Sequence, residues 1–356
     1  MKNLKVIFFS DWKSNPYKDQ LIYNLGIHGA QVEEYTWSRF FLQRIFSFWK
    51  PDIIHFHTIH PFLISRSKLT RFFKLCLFGI QIFLLNLIGT KAVWTVHELN
   101  DKLSNDSANN ISDFQALIVG KLLSAIFTHC ESTKDEIIQT FGLQNTNKVF
   151  VVPHGNYLDC YPNEISQAEA RTKLKIPENN LAFLLFGGIY KYKGVLEAID
   201  AFKGLSDDKL SLLIAGKPEQ GLKETIEEKI KNTNNIICEL SRIPDDDIQI
   251  YMNASDCVLV PYKVFTTSGI AILAMSFARV CIAPRIGFFQ DMLDESGSFL
   301  YDSDDNDGLL NAMEVAIEKK DNILEMGKHN LKLAEQWDWK DIAGKIYHLY
   351  EYCLNN

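Results

Sequence analysis

Thr266, Thr267, Ser268 and Gly269 stand between an apolar run that ends at Pro261 and a second one that begins at Ile270. Three hydroxyls and a glycine ahead of a helix-forming stretch meet the needs of an anion site. Free amides point out of the helix N-terminus, the helix dipole lies behind them, and the glycine lets the backbone approach closely. A diphosphate fits such a place, with Tyr262 at the start of the same loop. The same residues would also serve as a plain helix cap, in which Ser or Thr accepts from the first amides. A second candidate is the run Phe186–Gly194, FGGIYKYKG. Gly187 and Gly188 turn the chain at a strand end, and Lys191 and Lys193 follow. A lysine there neutralises a pyrophosphate and stabilises a departing nucleoside diphosphate. Two glycines and two solvated lysines in an ordinary turn are the plainer reading. Neither GxGxxG nor GxxxxGK[ST] occurs, so no dinucleotide fingerprint or P-loop is supported.

In the front half, Asp11–Tyr17 (DWKSNPY) joins the first apolar run to a helical stretch, and His97-Glu98 closes the run KAVWTV. Asn15, Tyr17 or His97 could position a sugar hydroxyl. Asp11, His97 and Glu98 are the candidates for a general base toward an acceptor hydroxyl. His55, His57 and His60 have partial strand spacing but no accompanying carboxylates. No metal and no other cofactor is therefore expected.

These residues need elements to position them, and the chain supplies a regular series. LKVIFFS, DIIHFH, KAVWTVH, AIFTHC and KVFVVPHG read as buried strands separated by helical stretches, among them Tyr17–His28, 114–126 and 132–141. The series restarts with LAFLLFGG and continues through LSLLIAG, NIICEL, CVLVPY and VCIAP. Alternating strands and helices of this kind imply parallel, doubly wound sheets. The fold class is α/β, with two Rossmann-like domains facing a central cleft. Residues 1–165 would form the first domain and 166–335 the second. Residues 336–356 read as a helical tail with aromatic anchors. In such sheets ligands bind beyond the carboxyl ends of the strands. That rule selects Asp11, His57, His60, His97, His154, Gly187, Gly188 and Tyr262.

Length and composition set outer bounds. A chain of 356 residues suits two domains, and 47% apolar with 23% charged residues argues for globular cores. The net charge of −7 argues against nucleic acid as partner. It is unevenly divided, with +3 on residues 1–160 and −10 on the rest. Seven scattered cysteines with no CxxC pair suit a reduced, cytoplasmic protein. The N-terminal MKNLKVIFF reads as a strand, not a signal peptide. The run Leu75–Gly89 is almost wholly apolar but only 15 residues long, against about 20 needed to span a bilayer. Arg66, Lys68, Arg71 and Lys74 precede it, in the manner of an interfacial basic patch. Peripheral contact through 66–89 with the inner face of the cytoplasmic membrane is the expectation. A helix packed on a sheet can be equally apolar.

Taken in order, DIIHFH, WTVHE, VVPHGNY, FGGIYKYKGV, LLIAGKP, RIPDDDIQIYMNASDCVLVPY, TSGIAILAMSFARVCIAP and WDWKDIAGKIYHLY resemble the retaining glycosyltransferase family 4 and its GT-B neighbours. The resemblance spans nearly the whole chain, and it implies that 1–165 is the acceptor-side domain, 166–335 the nucleotide-sugar domain and 336–356 a helix that crosses back to the first. It implies a nucleoside-diphosphate sugar as donor and a glycan or lipid-linked sugar as acceptor, with a hexosyl group moved in cell-surface polysaccharide synthesis. By position it implies that His97 lies near the transferred sugar. Lys193 and the amides of Thr267, Ser268 and Gly269 would bind the diphosphate. Arg242 and Ile243 would line the base, and His154–Tyr157 would lie at the domain junction. Two departures stand out. The family's paired glutamates, eight positions apart, match Phe265 and Leu273 here, and Asp256 is the only acidic residue between Asp247 and Asp291. The usual phosphate-loop arginine is also missing, with Gly188 or Tyr190 near its place and Lys191 as the substitute. A GT-B sugar-nucleotide epimerase and a non-catalytic glycan- or nucleotide-binding relative are the rival readings.

Overall fold

The computed structural model describes residues 3–10, 15–36, 38–42, 50–98, 111–143 and 146–356. Two compact units emerge. The first comprises residues 1–155 with 337–356, and the second comprises 156–336.

The first unit carries a six-stranded sheet of β1 (Leu4–Phe9), β2 (Ala30–Tyr35), β3 (Ile53–Phe56), β4 (Lys91–Thr95), β5 (Ala125–Thr128) and β6 (Val149–Val151). Its strand order is β2-β1-β3-β4-β5-β6 and every pairing is parallel. The second unit repeats the plan with β7 (Leu181–Phe186), β8 (Leu210–Ala215), β9 (Ile236–Glu239), β10 (Cys257–Leu259), β11 (Val280–Pro284) and β12 (Ser298–Tyr301). Its order is β12-β11-β10-β7-β8-β9, again all parallel. Central strands such as β3 and β8 are buried at every residue. That follows from their high Ile, Leu and Phe content, broken only by His55 and Ser211, which helices on both sheet faces cover.

Two strands escape the sequence reading, β2 and β12, and both lie at sheet edges. Half-exposed β2 reads AQVEEY and carries charge, so no apolar run announces it. The unit boundary also differs from the expected 165/166 and falls at Gly155/Asn156. Residues 156–165 are tied to the second unit by hydrogen bonds. Asn156 donates to the Ala334 carbonyl (3.0 Å), the Glu164 amide donates to Gln249 (2.8 Å), and Asn253 donates to Asn163 (2.8 Å) and to the Ile165 carbonyl (3.0 Å).

The helix Trp339–Asn355 completes the first unit. Asp338 caps it by accepting from the amides of Lys340 and Asp341. Its buried face, Trp339, Ile342, Ile346, Tyr347 and Tyr350, joins Val6, Phe8, Tyr17 and Phe127 in one core.

The apolar stretch near residue 75 forms a longer helix than expected, Lys68–Leu87, of 20 residues. Ser67 starts it by accepting from the Thr70 amide, which adds two turns ahead of Leu75. Leu75, Phe78, Ile82 and Leu85 face inward, against Phe56, Trp94 and Val119 among others. Leu69, Phe72, Phe73, Ile80, Phe83, Leu84 and Leu87 follow the same helical spacing on the opposite side and are exposed. The helix is apolar on both faces, and among the described residues only one is covered.

Candidate functional site

The second sheet changes winding direction between β7 and β10, since β8 and β9 continue on one side and β11 and β12 lie on the other. Ligands in doubly wound sheets sit at that switch point, beyond the carboxyl ends. The two loops that leave β7 and β10 there are the glycine-lysine loop and the Thr-Thr-Ser-Gly loop.

The loops are joined directly. Lys263 donates its amide to the Tyr192 carbonyl (3.0 Å), and a Cβ on Gly194 would lie 2.5 Å from the Pro261 carbonyl oxygen. Gly194 also has φ +73°, so glycine is needed there for both shape and space. Gly187 (φ +91°) brings the strand end against Ile270, and a Cβ on Gly216 would fall 1.7 Å from the Gly187 carbonyl. Gly216, which ends LLIAG, is therefore a packing partner of the glycine loop that the site reading had not singled out. A Gly188 Cβ would press on the Tyr190 ring at 2.8 Å.

Lys193 is held between aromatic faces. Its Nζ lies 5.5 Å from the Tyr190 centroid and 5.3 Å from that of Tyr262. Tyr190 stacks on Tyr192 at 5.7 Å and 10°. These cation–π contacts restrain a long, flexible cation without neutralising it. Lys191 is exposed; its backbone amide, rather than its ammonium, is held by Glu219 (2.9 Å).

Ser268 caps the helix Gly269–Ser276 by accepting from the Ala271 amide (3.3 Å). It also shares a hydrogen bond with the Tyr262 hydroxyl, whose pKa is raised by burial first and by Tyr192 second. Thr266 is buried. Thr267 Oγ1 is shielded from solvent and has no hydrogen-bond partner among the described residues. A Gly269 Cβ would lie 3.0 Å from the Tyr157 hydroxyl, so Tyr157 stands over the helix start; it belongs to the second unit. An unsatisfied hydroxyl beside a capped helix N-terminus, with a clamped lysine on the neighbouring loop, is a donor set for an anion.

Phe265 and Leu273, which stand where the family has glutamates, do apolar work. Phe265 packs on Phe289 (4.2 Å) and Tyr262 (5.9 Å), and Leu273 is a core residue. Asp256 does not replace them. It accepts from Arg171 (2.6 Å), the Ala182 amide (2.7 Å) and Gln167 (3.0 Å), which fixes it as a structural ion pair. Arg242 is exposed and Ile243 buried in the loop after β9, on the same sheet end as the other loops.

In the first unit the corresponding switch point lies between β1 and β3. Asp11, at the end of β1, falls outside the described residues. Just past the ends of β3, β4, β5 and β6 stand His57, His97, His129 and His154. Their rings lie around Tyr17, at 5.9, 4.8, 5.5 and 4.8 Å respectively, with Trp339 at 5.2 Å. Tyr17 is almost wholly buried, at 3% exposure, and stands at the centre of this group. Asn15 caps the first helix by accepting from the Tyr17 amide (3.0 Å). Residue type alone does not mark His129 as a site member, because AIFTHC reads only as a strand; its Nε2 is buried with no hydrogen-bond partner among the described residues.

The four histidines are held neutral. Burial is the main cause in each case, and repulsion from neighbouring histidines adds to it at His57, His97 and His154. His129 is depressed to about 4 and His154 to about 3, against the pull of their bonds to the Val152 and Gly155 carbonyls. His57, His129 and His154 are at most 4% exposed, whereas His97 is half-buried, so it alone of the four reaches the surface. Glu98, next in the chain, is exposed. Among the described residues no three His, Cys, Asp or Glu side chains are arranged to hold a metal ion.

Comparison with known proteins agrees with this architecture. Residues 5–159 match the model of Glycosyltransferase Family 4, and residues 166–335 that of Glycosyl transferases group 1. A GDP-mannose:glycolipid 4-beta-D-mannosyltransferase from Xanthomonas campestris pv. campestris is 25% identical over 306 residues, which cover 84% of this chain and 79% of that one. HepE from Anabaena, solved with UDP and glucose, superposes with a TM-score of 0.75 at 16% identity over 98% of this chain and 100% of that one. Sucrose-phosphate synthase from Thermosynechococcus elongatus gives a TM-score of 0.78 at 15% identity over 98% of both chains. The chain belongs to the two-domain GT-B glycosyltransferases of the family 4 type, enzymes that transfer hexosyl groups.

Proposed function

We propose that this glycosyltransferase moves a hexosyl group from a GDP- or UDP-sugar to a hydroxyl of a lipid-linked sugar or glycan, in the synthesis of a cell-surface polysaccharide. The observation that carries the donor assignment is the shielded, unpartnered Thr267 hydroxyl next to the Ser268-capped helix, with Lys193 clamped by Tyr190 and Tyr262 on the adjoining loop. The helix amides and Thr267 would donate to the diphosphate, and Lys193 would offset the charge that develops as it departs. A metal ion is not required if these groups supply that stabilisation. His97, neutral at pH 7 and half-buried, suits either proton acceptance from the acceptor hydroxyl or a hydrogen bond to the sugar. The Xanthomonas relative is named for GDP-mannose and a glycolipid, which favours guanine and a lipid-linked acceptor. The Anabaena structure holds UDP and glucose, which favours the other base.

A thermal-shift screen against UDP, GDP, ADP and CMP decides between them. Ligand at 100 times its Kd adds about 2.7 kcal/mol of stability to the state that binds it. One nucleoside diphosphate should raise Tm clearly. No shift with any of them, from folded protein, would sink the reading in favour of a non-catalytic relative.

The acceptor side is proposed to work at the cytoplasmic face of a membrane. Seven large apolar residues on one face of Lys68–Leu87 are exposed, with Arg66 and Lys68 at the helix start. The helix is long and apolar enough to cross a bilayer. Its other face is committed to the sheet core through Leu75, Phe78, Ile82 and Leu85, so a peripheral position is favoured over a spanning one. Flotation with liposomes containing anionic lipid tests this; protein left entirely at the bottom of the gradient would remove the proposal.

A further inference from the structure

We infer that His57 is a positioning residue that fixes the tautomer and orientation of His97 through a direct ring-to-ring hydrogen bond. The inference rests on the transferase reading, in which His97 meets the transferred sugar or the acceptor hydroxyl.

The geometry is specific. His57 Nδ1 lies 3.2 Å from His97 Nε2. The ring centroids are 5.5 Å apart and the ring planes only 28° from parallel. His97 cannot swing freely, because the Tyr17 ring meets it nearly perpendicularly at 4.8 Å and His129 lies at 5.2 Å. His57 is fixed in turn. It is 2% exposed and lies 4.2 Å from the ring of His55. Both nitrogens of His55 are engaged, Nδ1 with the Tyr350 hydroxyl (2.6 Å) and Nε2 with the Thr95 hydroxyl (2.7 Å). The series from Tyr350 through His55 and His57 to His97 thus runs from the core of the first unit to its half-buried edge.

A neutral imidazole carries one proton, so in a bond between two neutral rings one nitrogen donates and the other accepts. If His57 Nδ1 carries its proton, His97 Nε2 accepts and the His97 proton resides on Nδ1. If His57 Nδ1 is bare, His97 donates from Nε2, and its Nδ1 is an acceptor. The proton position on a residue that never meets substrate therefore decides whether the other nitrogen of His97 gives or takes a hydrogen bond. Those two states suit different tasks: donation to a sugar oxygen, or removal of a proton from a hydroxyl.

The test compares His57→Leu with His57→Asn. Asparagine keeps a polar atom near the Nδ1 position, whereas leucine removes it. Turnover is measured with the nucleotide sugar identified by the thermal-shift screen and a lipid-linked sugar acceptor. In parallel, the 15N shifts of the His97 ring are read in histidine-labelled protein. His57→Leu should lower kcat at least tenfold, leave the donor KM within twofold and change the His97 tautomer pattern. His57→Asn should restore most of kcat. A His57→Leu protein that folds, keeps the wild-type 15N pattern for His97 and keeps its kcat would overturn the inference. Equal loss of kcat in both variants with an unchanged 15N pattern would also overturn it, since that is what a merely structural role gives. If wild-type protein transfers no sugar, the transferase reading fails, and the 15N comparison still shows whether His57 sets the His97 tautomer.

Discussion

Lys193 Nζ lies 5.3 Å from the centre of the Tyr262 ring, and the hydroxyl of that same ring is hydrogen-bonded to Ser268. One tyrosine therefore links the cation of the glycine-lysine loop to the cap of the Thr-Thr-Ser-Gly helix. The residues are some 70 positions apart in sequence and belong to loops on either side of the switch point between β7 and β10.

Disabling this link should be read out in nucleotide binding. Lys193→Ala removes the charge, and Thr267→Val removes a shielded hydroxyl of this loop while keeping its shape. Both are expected to abolish most of the thermal shift given by the preferred nucleoside diphosphate, with Tm in its absence within a few degrees of wild type. Ser268→Ala should lose the shift and also about 1 kcal/mol of stability from the missing cap. An undiminished shift in Lys193→Ala would place the diphosphate elsewhere.

Gly216→Ala tests the packing under the glycine loop. The added methyl would fall 1.7 Å from the Gly187 carbonyl at φ +150°, so backbone has to move. A loss of about 3 kcal/mol or more is expected in urea unfolding of the second unit. Gly221→Ala, where nothing lies within 4 Å although φ is also positive, should cost less. Equal losses would mean that strain alone, not the contact with Gly187, sets the requirement.

The histidine group makes stability depend on pH in a defined direction. His129 and His154 titrate near 4 and 3 in the folded chain but at 6.5 when unfolded. The unfolded state therefore takes up protons first as pH falls. Stability is full above pH 6.5 and declines below it, by about 1.4 kcal/mol per pH unit for each histidine, until pH reaches that histidine's folded value. Urea unfolding between pH 7 and 5 measures the slope, and His129→Leu should flatten it. A wild-type profile level over that range would contradict the neutral, buried state of these rings.

The outward face of Lys68–Leu87 can be altered without disturbing its inward face. Phe72→Glu and Phe83→Glu lie at exposed positions, so each is expected to change stability by no more than about 0.5 kcal/mol. The double variant should lose flotation with anionic liposomes while nucleotide binding persists. Phe78→Glu, on the buried side, should instead unfold the first unit. Retained flotation in the double variant would assign membrane binding, if present, to another surface.

The amino-acid sequence by itself determined the class of fold and where along it the chemistry could lie. Strands such as LSLLIA and IIHF are mostly apolar because they are covered on both faces, with Ser211 and His55 as the buried polar exceptions, and that pattern is written in residue type alone. Gly187, Lys193, Ser268 and His97 were legible because each follows a strand or opens a helix, and parallel sheets present those positions at one end. The edge strands β2 and β12 were not: β2 is half-exposed and charged, and β12 offers only the three apolar residues Phe299–Tyr301. The alternatives left open by residue type were decided by tertiary packing. Tyr17 became a buried hub, Phe265 and Leu273 became apolar packing residues, and Asp256 was taken up by Arg171. His57 met His97 across 40 residues of chain, and His129 joined them. The exposed stripe on Lys68–Leu87 appeared only when the sheet had covered the opposite face. Each of these depends on which side chains the fold brings within a few ångströms, a distance that spacing along a single chain does not specify.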